Sequence, residues 1–494
     1  MPGALFFGAH LLSGRKGGGC PLRGDFYFRN ARRYNPPMVR ASGAILVASI
    51  VFFSYLVLRA FLQLDLEGYD FLYYHLPFAL KMYGRTTYQL FPWLNDLYQA
   101  YPPLAHAAQG FLVWATGYFP LANSIGALAV LILLATIHLG EKRKGTAGYF
   151  LLAFLSVPLL VRHVSIGLID LWLGCFLALS FYCYYKWETQ KRFSWLWRLG
   201  IFLAIACYSK YQAWPIAAVI LAGLLFGTVK SRNYRATALV VAIAVCCAGW
   251  PLLNWIRFSN PSYPYPFPFA SNLPNTVDLN RIANRFMPPW LIPYPRPVRF
   301  VVSFLELSRF NFSVPQMIWT NASWQPGERE NFHYKLGGLS MISMAILLPA
   351  LFIAYKKRLM PKATAIVFAF AVGVVSLLPQ SHELRYWLFI PLVLCFFFSR
   401  LMTEESALPE RFRARLQIAL ASSAIFTIAC NQCFRLDLRP LAQRAPEAAV
   451  AYWRQAAAHP DDKVALIRAP MERAIFWSGP NFNSYKVILP EHRP

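Results

Sequence analysis

Charge, and acidic charge above all, is what this sequence has least of. Of its 494 residues only 14% are charged, with 22 Asp or Glu against 48 Lys or Arg. A soluble domain carries about 25% charged residues, so a row of soluble domains is excluded. The hydrophobic share of 57% and the mean hydropathy of +0.38 instead indicate a polytopic membrane protein. Cysteine is scarce where it would matter for an outer scaffold. Six of the nine cysteines (Cys175, Cys183, Cys207, Cys246, Cys247 and Cys395) lie in apolar stretches, and none falls in the polar region 257–335. No disulfide framework follows from that distribution. Cys430 and Cys433 make a lone C-x-x-C without the second pair that a structural zinc site needs. Internal repeats are also missing, which argues against an inverted-repeat transporter. The basic stretch 1–40 shows no apolar core followed by a cleavage site, so no leader removal is expected. Met38 is an alternative start.

What is abundant is apolar sequence. Runs near 42–63, 147–161, 166–186, 196–209, 212–228, 236–256, 336–355, 362–379, 386–400 and 416–434 read as membrane helices. The segment 104–139 adds one crossing after a broken or oblique helix, giving about eleven. Short basic loops tend to stay cytoplasmic. Five qualify, at 141–144, 186–198, 230–235, 355–362 and 400–415, and with a basic N-terminus inside they all fall on one side. The net charge of +26 therefore reads as membrane orientation and contact with anionic lipid headgroups, not as a nucleic-acid partner. The opposite, outer side receives 64–103, 162–170, the turn 209–211, the long loop 257–335, the segment 380–385 and the tail. The proline- and aromatic-rich N-P-S-Y-P-Y-P-F-P-F (260–269) is expected to be a rigid extended entry to that loop.

Ionisable groups at membrane depth cost about 2.5–3.5 kcal/mol each on insertion scales, so they tend to face a cavity, a partner or a substrate. Here they gather near the outer face: Asp70 and His75, Arg162, His163 and Asp170, Lys210, Arg257, and His382, Glu383 and Arg385. Each has a plainer reading too. Asp70 suits a solvated loop or a helix cap, and Asp170 a salt bridge. Lys210 and Arg257 could snorkel to headgroups, and the histidines suit an interface. Tyr73, Tyr74, Trp93 and Tyr101 fit an interfacial aromatic belt. Taken jointly, the carboxylates Asp70 and Asp170 could act as general base or hold a divalent ion. Lys210, Arg257 and Arg385 could neutralise a phosphate. Carboxylates beside phosphate-binding cations at a bilayer point to transfer from a lipid-phosphate donor.

Six fragments carry a family resemblance. They are Y-D-F-L-Y-Y-H-L-P (69–77), Y-P-P-L (101–104), G-L-I-D-L (167–171), Y-S-K-Y-Q-A-W-P (208–215), W-I-R-F-S-N-P-S-Y-P (255–264) and H-E-L-R-Y-W-L-F-I-P (382–391). In this order the chain resembles the GT-C superfamily of membrane glycosyltransferases, in the branch of the protein O-mannosyltransferases and the lipid A aminoarabinose transferase. The resemblance implies a polyprenyl-phosphate-linked sugar donor used on the extracytoplasmic side. It implies a catalytic carboxylate at Asp70, a supporting acidic residue or metal ligand at Asp170, and donor-phosphate contacts at Lys210 and Arg385. His75 belongs to a subgroup form of the first-loop motif. Phe71 follows Asp70 where the mannosyltransferases carry a D-E pair.

The expectation is thus an all-α polytopic membrane protein of GT-C-like form, with a large extracytoplasmic loop. A basic cytoplasmic segment (1–40), a membrane domain (41–434) and a small outer tail (435–494) would make up the chain. The expected setting is the bacterial inner membrane, and the expected function is sugar transfer to a lipid, polysaccharide or protein acceptor. Site residues are Asp70, Asp170, His75, Lys210, Arg257 and Arg385, with Asp70 and Asp170 as candidate ligands of magnesium or manganese. The alternative is a transporter or flippase of lipid-linked sugars, which would favour mid-membrane charges and repeat symmetry.

Overall fold

The computed structural model describes residues 36–63, 70–84, 92–141, 145–266, 273–275, 291–305, 341–430, 464–466 and 486–488. Residues 1–41 form one unit and 42–494 another. In chain order the helices are α1 (Pro36–Leu62), α2 (Leu76–Met82), α3 (Pro92–Ala100), α4 (Leu104–Thr116), α5 (Ile125–Gly140), α6 (Thr146–Leu155), α7 (Pro158–His163) and α8 (Asp170–Gln190). They continue with α9 (Phe193–Cys207), α10 (Ala213–Lys230), α11 (Tyr234–Phe258), α12 (Arg296–Phe304), α13 (Met341–Lys356), α14 (Lys362–Leu377), α15 (Phe389–Thr403) and α16 (Glu410–Cys430). A π-helical turn, Phe71–His75, leads into α2, and a 3-10 turn, Leu384–Trp387, leads into α15. Two three-residue strands, β1 (Val464–Leu466) and β2 (Lys486–Ile488), pair in parallel within the tail.

Helix α8 organises the bundle. It is apolar on every side and buried from Asp170 to Trp187, the signature of a helix that runs through a core instead of along its surface. α5, α9, α10, α14 and α15 pack around it. Aromatic side chains fill the interfaces: Phe181 stacks on Phe389 at 5.6 Å, and Tyr182 meets Phe396 edge-on at 5.1 Å. Outer helices such as α10 and α11 instead expose Phe226, Val245 and Ile256, as helices facing lipid do.

Among the described residues, four segments are long and apolar enough to cross a membrane: Gly43–Leu62, Phe119–Gly140, Ala213–Lys230 and Tyr234–Phe258. Five further apolar helices have 10–17 residues. The mostly helical, multi-span character is therefore as expected, but a count of about eleven crossings is not established. Two expected spans have different bounds. The 147–161 run breaks at Pro158, which lacks the N–H needed to continue α6 and instead starts α7. Helix α16 begins at Glu410, ahead of the apolar stretch. The 104–139 segment is broken as anticipated, with Gly117 ending α4 in the left-handed region at φ 68°. Residues 260–266 form successive turns where an extended loop is expected. Asn260 organises them by accepting from Ser262 N–H at 2.9 Å and donating to the Tyr265 carbonyl at 2.9 Å. The sequons at 311–313 and 321–323, most of the long loop and most of the tail lie outside the described residues.

At the end of α8 remote from Asp170, a buried charge cluster ties three helix ends together. The two oxygens of Glu141 meet Lys186 at 2.8 Å and Arg400 at 2.7 Å. Lys186 also lies among the rings of Tyr182, Tyr185 and Trp195. Removing one member of such a cluster leaves uncompensated charge, at a cost of about 3–5 kcal/mol. Glu141→Ala should therefore lower the melting temperature of the detergent-solubilised protein well below that of the parent. A parent-like melting curve would contradict the clamp.

Candidate active site

Asp70 and Asp170 come together because two loops fit closely. Gly167 takes φ 69°, and a Cβ there would sit 2.6 Å from the Phe71 ring and 2.7 Å from Asn123 Oδ1. Only glycine supplies both that conformation and that clearance. The loop before α8 therefore lies directly on the turn that follows Asp70. Gln109 Nε2 fixes it by donating to the Gly167 carbonyl at 2.7 Å, and Arg59 of α1 donates to Ser165 Oγ. Asp170 opens α8, where the positive end of the helix dipole favours a carboxylate.

Lys210 lies in the turn between α9 and α10, and that turn is held from several sides. Trp172 Nε1 donates to Ser209 Oγ at 3.0 Å, and Ser209 donates to the Ile205 carbonyl at 2.6 Å. Leu104 N–H donates to the Tyr208 carbonyl at 2.8 Å. The carbonyl that ends α3, Ala100, lies 2.6 Å from Tyr211 Oη, 2.7 Å from Trp250 Nε1 and 3.0 Å from Asn254 Nδ2. The end of α3 and the start of α4 are thus tied by hydrogen bonds to the Lys210 turn and to α11.

Within this frame Lys210 Nζ pairs with Asp170, both side chains being almost wholly buried. Arg385 Nη1 donates to Asp70 Oδ2 at 2.8 Å, and its Nε lies 3.3 Å from Glu383 Oε2. Tyr386 stands between the cations, its ring centre 4.4 Å from Lys210 Nζ and 4.8 Å from Arg385 Cζ. Its hydroxyl accepts from Arg385 Nη2 at 2.8 Å. Cation–π attraction strengthens when the partners are desolvated, as here. The segment carrying Arg385 is anchored by Ser303 of α12, which donates to the His382 carbonyl at 2.6 Å. Burial pushes the Lys210 ammonium below the ordinary lysine range, and the Asp170 carboxylate opposes that shift. Burial also holds the His75 imidazole well below its usual range, aided by His106 and the Lys210 and Arg385 charges.

Of the residues singled out in the sequence, Asp70, Asp170, Lys210 and Arg385 converge. His75 faces a second buried histidine, His106, at 2.7 Å. Arg257 lies apart, exposed on the wall of an adjoining cavity of about 550 Å³ with Tyr98, Gln99, Tyr101, Trp250 and Phe258. Tyr101 lines that cavity, its ring 5.3 Å from both His106 and Tyr211. Tyr386 and His106 had not been singled out. Tyr386 follows Arg385 directly, but an aromatic beside a cation is too common to mark it. Nor do Asp70 and Asp170 form a metal cradle as placed. Each is engaged by a cation, and the described residues hold no group of three or more His, Cys, Asp or Glu suited to a metal. A divalent ion would first have to take a carboxylate from Arg385 or Lys210.

Residues 96–246 match the family model of dolichyl-phosphate-mannose-protein mannosyltransferases. This mannosyltransferase-like region covers less than half of the chain. It contains His106, Asp170 and Lys210, but not Asp70, Arg257 or Arg385. Among solved structures, ArnT from Cupriavidus metallidurans in the apo state is similar over 92% of this chain and 87% of its own, at 13% identity and a TM-score of 0.38. That likeness is too distant to carry an argument about the site. No curated protein matches the chain.

The fit of Gly167 against Phe71 is open to a direct check. Gly167→Ala should cost about 1–3 kcal/mol of stability, the usual penalty for a side chain in the left-handed region, plus the contact with the ring. Combining it with Phe71→Ala should cost less than the sum of the two single changes. Strictly additive losses would show that the two loops are not in contact.

Proposed function

We propose that the protein is a membrane glycosyltransferase of GT-C type. It would move a sugar from a polyprenyl-phosphate-linked donor to a lipid, polysaccharide or protein acceptor of the envelope. The observation that carries this reading is the interlocking of Asp70, Arg385, Tyr386, Lys210 and Asp170 in one buried cluster. The match of residues 96–246 to a family named for a lipid-phosphate mannose donor supports it. So do the short basic loops 141–144, 186–198 and 400–415 at the far end of α8, in keeping with a cytoplasmic end there and an extracytoplasmic site in the bacterial inner membrane.

The arrangement suggests how transfer would proceed. Three carboxylates, Asp70, Asp170 and Glu383, face two cations, Lys210 and Arg385. An incoming phosphate competes with the carboxylates for those cations. Taking the Arg385 fork, it frees Asp70 from its ion pair. Asp70 then accepts the proton of the acceptor hydroxyl, and that oxygen attacks the anomeric carbon. The bond from the sugar to the phosphate oxygen breaks, and the lipid phosphate departs with the electron pair. Lys210 and Arg385 stabilise the charge growing on the leaving oxygen, the electrostatic contribution that often dominates such steps. Arg257, on the wall of the adjoining cavity, would meet the donor or acceptor on its way to the buried cluster.

Two outcomes are expected from purified protein given a synthetic polyprenyl-phosphate sugar. Asp70→Asn should insert normally and lose transfer by at least about 100-fold, the low end of general-base contributions; near-parent transfer would remove Asp70 from the mechanism. Asp170→Asn deletes the group that raises the Lys210 titration against burial. Lys210 then loses its proton at lower pH, so the alkaline limb of donor binding should move down. A limb that stays or moves up would show that Lys210 charge does not hold the phosphate.

A further inference from the structure

The proposed transfer uses two carboxylates and two cations, and leaves the buried histidine pair without a task. His75 Nδ1 and His106 Nε2 share a hydrogen bond of 2.7 Å, with the rings 1% and 0% exposed. Tyr74, Phe78 and Tyr101 enclose them. The outward nitrogens, His75 Nε2 and His106 Nδ1, are buried and make no hydrogen bond among the described residues. A neutral imidazole has one donor and one acceptor nitrogen. Whichever ring donates across the pair, one outward nitrogen is left a donor and the other an acceptor. Leaving a buried polar group without a partner is costly, so the pair calls for a polar group to complete it.

The placement narrows what that group is. His75 ends the turn that begins after Asp70, and His106 lies in the first turn of α4, whose Leu104 N–H is bonded to the turn carrying Lys210. The pair is therefore tied on one side to the turn that follows Asp70 and on the other to the turn carrying Lys210. Burial above all opposes its protonation, and the Lys210 charge adds to that at both rings, with Arg385 a smaller cause at His75. It is then uncharged, unsuited to gripping phosphate and suited to a group that both gives and takes a hydrogen bond. A hydroxyl does both. We propose that His75 and His106 form a subsite for a hydroxyl group of the transferred sugar, recognising the glycosyl part of the donor while Lys210 and Arg385 hold its phosphate. This rests on the glycosyl-transfer reading above.

Two conservative variants separate binding from mere packing. Asn at position 75 reproduces the Nδ1 bond to His106 and deletes the outward Nε2. Gln at position 106 reproduces the Nε2 bond to His75 and deletes the outward Nδ1. Equilibrium binding is measured for two probes, bare polyprenyl phosphate and polyprenyl phosphate carrying mannose. The parent should bind the sugar-bearing probe about tenfold more tightly than the bare one, in line with one buried hydrogen-bonded hydroxyl. His75→Asn or His106→Gln should erase that advantage and leave the bare probe bound as before. The proposal is overturned if either variant keeps the advantage, or if the parent binds the two probes equally. If the parent binds neither probe, the glycosyltransferase reading itself falls and the subsite falls with it.

Discussion

A lysine and an aspartate buried together at the head of a core helix set the terms for the rest of the molecule. Neither Lys210 nor Asp170 would keep its charge alone at that depth, because desolvation of a single ion costs several kcal/mol after relaxation. Each is tolerable only while the other is in place. The same holds less strictly for Asp70 and Arg385, which keep some contact with solvent. Buried pairs of this kind add little net stability over apolar side chains. Their persistence in a chain so poor in acidic residues is understandable if the charges are needed for chemistry. A site built this way is also poised, since any anion stronger than a carboxylate as a partner for Arg385 sets Asp70 free.

The fold keeps this poise from collapsing. The Asp170 and Lys186 ends of α8 are about 24 Å apart at 1.5 Å per residue, and each carries its own buried charge cluster. Between them α8 sets its own Phe176 and Phe181 against largely apolar and aromatic neighbours, among them Phe202, Phe368 and Phe389. The Glu141 cluster holds α5, α8 and α15 in register at one end. The loops that supply Asp70, Lys210 and Arg385 are then fastened at the other by backbone carbonyls: Ala100, Gly167, Tyr208 and His382. Few of these bonds link one charged group to another. Most are uncharged, so the frame persists while the ion pairs inside it exchange.

Much of this was legible in the sequence. Asp170 between I-G-L-I and L-W-L could hardly be anything but a paired or functional carboxylate, and the short basic loops placed it at the end opposite Glu141 and Lys186. Lys210 and Arg385 stood out by the same reasoning, as polar groups at span ends. The histidine pair was not legible. His75 and His106 lie 31 residues apart, and their contact depends on how α2 packs against α4. Gly110 permits that approach: a Cβ there would sit 2.4 Å from the Ala79 carbonyl oxygen. Tyr386 was hidden for another reason. The chain holds 26 tyrosines, and only three-dimensional placement between two cations separates this one from an interfacial belt. Helix bounds failed where proline decided them, at Pro158, because hydropathy runs on smoothly through a position that backbone hydrogen bonding does not.

The account stands on partner exchange at the two cations. A structure determined with a polyprenyl phosphate bound would test this most directly. The account predicts the phosphate against Lys210 and Arg385, with the Asp70 carboxylate released from the arginine and turned to open space beside it. A phosphate seated elsewhere, with the Asp70–Arg385 and Asp170–Lys210 pairs both intact, would contradict it.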